Sequence, residues 1–157
     1  MNTPKPLSLE LDIYWEDLSV GTCFRSGKRS VTEADLVNFI NLTWLTEELF
    51  TNTDPQDRAK MAITGRVVPG GLVYTYAEGL ISASFQACGL AFLGAEMEMC
   101  GPTVVGDTLR VECEVIESRL TSRGDRGLVR TRNAVVNQRG ETVLVYTPLR
   151  MVRCRAE

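Results

Sequence analysis

The stretch that most constrains this chain runs from Leu72 to Leu93. Leu72, Val73, Tyr76, Ala77, Leu80, Ile81 and Phe85 cover nearly the whole circumference of a helix. A helix apolar all round is a buried helix, so the rest of the chain has to wrap it. Pro69-Gly70-Gly71 opens this segment; Gly79 and Gly89 within it either permit close packing or mark its end. After Pro102 the apolar period changes. Leu109, Val111, Cys113 and Val115 alternate with Arg110, Glu112 and Glu114, the pattern of a half-buried strand. Residues 128–136 and 142–153 read as two further strands joined by a hairpin turn at Asn137 to Gly140. Pro148 marks the last strand as an edge or a bulged one. Asp17 to Arg29 reads as a short strand after a turn at Gly21. One buried helix and a strand-rich second half imply an antiparallel sheet wrapped on one face of a helix, an α+β architecture.

Thr32-Glu33-Ala34-Asp35 has the spacing of a capped helix start, and Leu36, Val37, Phe39 and Ile40 follow at helical spacing. This helix should fray near Asn41–Thr43. A loop-like stretch then reaches about Gly65, turning at Asp54-Pro55, with a short helix over 55–60 that has proline at its first position.

Composition limits the partners. In 157 residues, 17 Lys and Arg against 20 Asp and Glu leave a net charge of −3, and no basic tract appears, which argues against nucleic acid. An anionic ligand would need a local arginine or lysine cluster. No apolar run approaches a membrane span or a signal peptide. The five cysteines are odd in number and widely spaced, as expected of reduced thiols in a cytoplasm. Histidine is absent altogether, so a metal site would have to use cysteine and carboxylates alone, and none is expected. The same absence excludes a Cys–His nucleophile and a Ser-His-Asp triad.

Three stretches carry a resemblance: Tyr14-Trp15-Glu16-Asp17-Leu18-x-Val20-Gly21, Gly65-Arg66-Val67-Val68-Pro69-Gly70-Gly71-Leu72, and Asn137-Gln138-Arg139-Gly140-Glu141. From about Tyr14 to Val152 the chain resembles the MaoC-like acyl dehydratases and (R)-specific enoyl-CoA hydratases. The resemblance implies a single hotdog fold over 14–157 behind an N-terminal extension at 1–13. It also implies an acyl-CoA or acyl-carrier thioester as ligand, no cofactor, and a homodimer or larger homo-oligomer. The backbone at Gly70 and Gly71 would hold the thioester carbonyl, because the first amides of a helix lack partners and carry partial positive charge. Without the resemblance, the same Pro-Gly-Gly is a steric helix start.

The family's catalytic loop reads D-x-N-P-x-H-x-D-P, its Asp and His activating a water. Histidine suits that task because its pKa lies at roughly 6.5. Here the corresponding stretch is Leu45-Thr46-Glu47-Glu48-Leu49-Phe50-Thr51-Asn52-Thr53-Asp54-Pro55. Counting forward from Phe39 places Leu45 and Phe50 at the two catalytic positions and leaves no acid–base group. Counting back from Asp54-Pro55 places Glu47 and Asn52 there: a possible base, and a neutral hydrogen-bonding partner. The second count is favoured on the Asp-Pro match. Against it, Glu47 and Glu48 also read as solvated loop carboxylates. Glu78, inside the apolar helix, must be paired, protonated or on an exposed stripe, the last being the ordinary case. Arg66 and Arg58 are candidates for a CoA phosphate, with surface ion pairing as the alternative.

Two functions follow. One is an acyl-thioester hydratase or dehydratase using Glu47 and Asn52. The other is a non-catalytic acyl-thioester-binding protein or an inactive partner subunit. A carboxylate-based thioesterase is a third possibility that no residue singles out.

Overall fold

A computed structural model describes residues 13–156. The extension read over 1–13 therefore lies outside the described residues except for Ile13. The elements are β1 (Cys23–Arg25), β2 (Arg29–Ser30), α1 (Glu33–Thr43), α2 (Glu48–Thr51), α3 (Pro55–Arg58), α4 (Gly70–Ile81), β3 (Gly89–Met99), β4 (Thr108–Leu120), β5 (Arg126–Val136) and β6 (Thr142–Arg153). The sheet is antiparallel throughout, in the order β1-β4-β5-β6-β3, with β2 also pairing β4. α4 lies across it. This is the expected α+β hotdog.

The strand alternation explains how the helix is held. Leu109, Val111, Cys113, Val115, Val129, Val135, Leu144 and Tyr146 are all buried, one inward residue at every second position of β4, β5 and β6. Leu72, Val73, Tyr76, Ala77 and Ile81 of α4 pack into the same core. A second cluster gathers Leu18, Cys88, Val115, Val129 and Val152 beneath Trp15. Trp15 lies flat on Gly127, where any Cβ would collide with the indole, so the Tyr14–Leu18 stretch of the sequence seals one end of the sheet.

The apolar run from Leu72 to Leu93 is not one helix. α4 stops at Ile81, a 3-10 turn covers Ser82–Phe85, and the remainder becomes β3. Gly89 is the pivot: a side chain there would strike the Phe85 carbonyl at 2.8 Å. Pro148 also departs from expectation, because β6 is an interior strand flanked by β5 and β3. The missing amide is tolerated because the β5 ladder is interrupted between the Arg130–Leu149 and Asn133–Tyr146 pairs. The turn at Asn137 is a hairpin as read, and its buried Asn137 carboxamide oxygen accepts the Arg139 and Glu141 amides, both at 3.0 Å.

α1 starts as its sequence dictates. The Asp35 amide donates to the Thr32 hydroxyl at 3.2 Å, and the Thr32 amide donates to the Asp35 carboxylate at 2.8 Å, a reciprocal capping box. The hydroxyl of Thr32, then that of Tyr76, hold Asp35 down from 3.8 to about 2. A depressed carboxylate contributes stability that is present above its unfolded value and lost as pH falls through its folded one. Wild type is therefore expected to lose stability between about pH 4 and pH 2 more steeply than Asp35→Asn does, read as Tm against pH. Thr32→Ala should cost about 1 kcal/mol at neutral pH.

Candidate functional site

At the N-terminal end of α4 the chain makes a shallow apolar groove. Leu49 and Phe50 of α2 form one wall; Val67, Val68, Gly70 and Val73 form the back; Met99 and the Gly101–Thr103 turn form the other wall. Pro69 sets the helix start, and the Leu72 and Val73 amides both donate to its carbonyl. The Gly70 and Gly71 amides donate to nothing among the described residues, as expected for the first turn of a helix. A Cβ on Gly70 would lie 2.9 Å from the end of Met99, so glycine keeps the backbone open to the groove. No titratable side chain belongs to the lining.

Glu47 and Asn52 are not among the groove's walls. Glu47 precedes α2, exposed, and its carbonyl accepts the Phe50 and Thr51 amides. The Asn52 carboxamide is engaged at both ends: its oxygen accepts the Asp54 amide at 2.9 Å and its nitrogen donates to Asp57 at 3.1 Å. Phe50 is buried against Leu36, Ile40 and Val67, and Leu45 is half-buried. Of the two pairs read from sequence, the structure brings only Phe50 to the groove beside Gly70.

Arg58 and Arg66 both turn inward onto the loop. Arg66 donates twice to the Phe50 carbonyl, at 3.3 and 2.9 Å, and pairs with Glu33. Arg58 donates to the Leu49 carbonyl at 3.1 Å and to the Gly65 carbonyl. These arginines clip down the two residues that form the groove wall, and their donors point at backbone rather than at solvent.

Glu78 is the residue whose ordinary reading is overturned. It is ion-paired: Arg150 donates to its two oxygens at 2.6 and 2.7 Å, and the Tyr146 hydroxyl donates at 2.8 Å. Burial, followed by the Glu78 charge, pushes the Tyr146 phenol well above its usual range, so it stays a donor. Sequence reasoning did not single out Arg150 or Asn133. The available signal was register: Leu144, Tyr146, Pro148, Arg150 and Val152 alternate inward along β6, and an arginine at a core-facing position demands a partner.

No family model matches the chain. The mesaconyl-CoA hydratase of Cereibacter sphaeroides is 44% identical over 61 residues, 39% of this chain; the match spans only 18% of that protein's length. The MaoC-like dehydratase of Rhodospirillum rubrum superposes with a TM-score of 0.78 at 25% identity, covering 92% of this chain and 99% of that one. The unliganded (R)-hydratase of Pseudomonas aeruginosa superposes with a TM-score of 0.68 at 26% identity, covering 91% and 87%. The structural neighbours of this chain thus include MaoC-like dehydratases and (R)-hydratases of hotdog fold.

Proposed function

We propose that this chain binds an acyl thioester at the N-terminus of α4 and, taken alone, does not hydrate it. One observation carries the reading: two unpartnered helix amides, Gly70 and Gly71, open beside an apolar groove that contains no acid or base. The amides and the helix dipole suit a polarised thioester oxygen, and the apolar walls suit an acyl group. General acid–base catalysis needs a titratable group within hydrogen-bond reach of the reacting atoms, and Phe50 stands where the forward count puts the family's histidine. The resemblance to hydratases then fits a subunit that holds substrate for, or is paired with, a catalytic partner.

The second reading, a hydratase with Glu47 as base and Asn52 as its positioning partner, is favoured by one fact: the Glu47 carboxylate is exposed beside α2, and no hydrogen bond occupies it among the described residues. The engagement of Asn52 with Asp54 and Asp57 weighs against it. A homo-oligomer or a paired second hotdog is supported by β3, which pairs only with β6 and leaves its other edge open along Gly89–Met99, with Leu90, Phe92, Leu93, Met97 and Met99 exposed.

The deciding experiment follows enoyl absorbance and thermal melting of the purified protein with crotonyl-, mesaconyl- and octanoyl-CoA. The expected result is a raised Tm with at least one thioester and no turnover. Turnover that Glu47→Gln removes would replace this reading with the hydratase. Binding of none of the three would sink it.

A further inference from the structure

Beneath the middle of α4 the floor of the sheet is polar where a core would be apolar. β5 presents Thr131 and Asn133, and β6 presents Tyr146 and Arg150, all at least nine-tenths buried. Glu78 takes one edge of the guanidinium and the Tyr146 hydroxyl. Four atoms are left without partners: Nη1 of Arg150, both ends of the Asn133 carboxamide and the Thr131 hydroxyl. Asn133 lies beside Tyr146 across the β5–β6 ladder but makes no hydrogen bond of good geometry. Buried polar groups in folded proteins are almost always met by protein, water or ligand. Four orphans on two neighbouring strands therefore mark a place for something that bears oxygen.

A trough connects this place to the thioester site. Gly70, Tyr74 and Glu78 recur at every fourth position along one flank of α4 and are all half-exposed. Facing them are Met99, Met97 and Phe92 of β3, exposed by 48%, 49% and 48%. These lie opposite Leu144, Tyr146 and Arg150 of β6, so they share the helix-facing side of the sheet. Gly70 and Met99 meet at one end. At the other, Phe85 and Phe92 close over the Arg150 guanidinium, their ring centroids 4.7 and 5.7 Å away. Gly70 and Glu78 are eight residues apart, about 12 Å of helix, and side chains tilted toward the N-terminus shorten the reach.

We infer that this trough receives the acyl group of the thioester, and that the acyl group ends in an oxygen function, carboxyl or hydroxyl, which pairs with Nη1 of Arg150 and the Asn133 carboxamide. The inference rests on the proposed thioester site and names its substrate class. The methionine and phenylalanine row suits methylenes; a plain alkyl end would leave all four polar atoms unpaired. Glu78 already balances the charge of Arg150, so the site selects an oxygen rather than a net charge, and both end groups fit.

Matched thioesters test this by calorimetry: adipoyl-CoA and 6-hydroxyhexanoyl-CoA against hexanoyl-CoA, and suberoyl-CoA against octanoyl-CoA. The polar-ended member of each set should bind at least tenfold tighter, and the two six-carbon polar ligands show whether carboxyl or hydroxyl is preferred. Asn133→Leu should abolish that preference while keeping the affinity for hexanoyl-CoA. Its Tm should hold or rise, because the amide it removes is unpaired. Equal or tighter binding of the alkyl thioesters overturns the inference and leaves the thioester site standing, as does a preference that survives Asn133→Leu. Failure of every CoA thioester to bind overturns both.

Discussion

Arg150→Met should be among the most destabilising single replacements in this chain, lowering the unfolding free energy by about 3 kcal/mol or more. The guanidinium is 7% exposed and held by both oxygens of Glu78. Removing it strands the carboxylate against Tyr146 in the interior. Glu78 keeps one side toward solvent, its side chain 28% exposed, which places the loss at the lower end of the range for broken buried pairs. Glu78→Leu alone should cost a comparable amount by stranding the arginine. The double variant Glu78→Leu/Arg150→Met should recover most of the loss, since exchanging a buried pair for apolar residues of similar size is often neutral or better. Urea unfolding of the four proteins gives the cycle. A double variant no more stable than either single would mean that the pair does not act as a unit.

Gly70→Leu should have the largest effect on ligand binding. Its Cβ falls 2.9 Å from the Met99 terminus, a flexible end that can move aside, and glycine is a poor helix residue. Stability should therefore change by no more than about 1 kcal/mol. The side chain would fill the groove in front of the free amides, so affinity for any bound thioester should fall at least tenfold. Gly71→Ala is the control: its Cβ would sit in ordinary contact with Phe39, 3.4 Å away, and affinity should change much less. If Gly70→Leu binds as wild type does, the thioester carbonyl lies elsewhere.

Local patterns in the sequence were sufficient where a single stretch decides the outcome. The capping box at Thr32, the proline-led α3, the Asn137 hairpin and the alternation of β4 are each set by residues within a few positions of one another, and each stands where its pattern placed it. The misreadings came from residues whose environment is supplied from far along the chain. Leu90, Phe92 and Leu93 are as apolar as the helix before them and were read as its continuation. They form a strand because β6, more than fifty residues later, offers them a ladder, and Gly89 lets the chain turn into it. The loop before α4 misled for the same reason. Glu47 and Asn52 look chemical in a linear count, but whether a loop residue reaches the groove depends on how Arg58 and Arg66 pin the backbone at Leu49 and Phe50.

By itself the sequence determined the fold class, through one helix apolar on every side and strands of period two, because burial patterns are written locally and tolerate no other packing. It also determined that no histidine serves the site. The tertiary structure alone decided that Glu78 is paired, that Arg150 and Asn133 present unpaired polar atoms beneath α4, and that Phe50 stands beside Gly70. Those are relations between side chains 20 to 72 positions apart, and only the register of the strands and the path of the loop bring them within reach of one another.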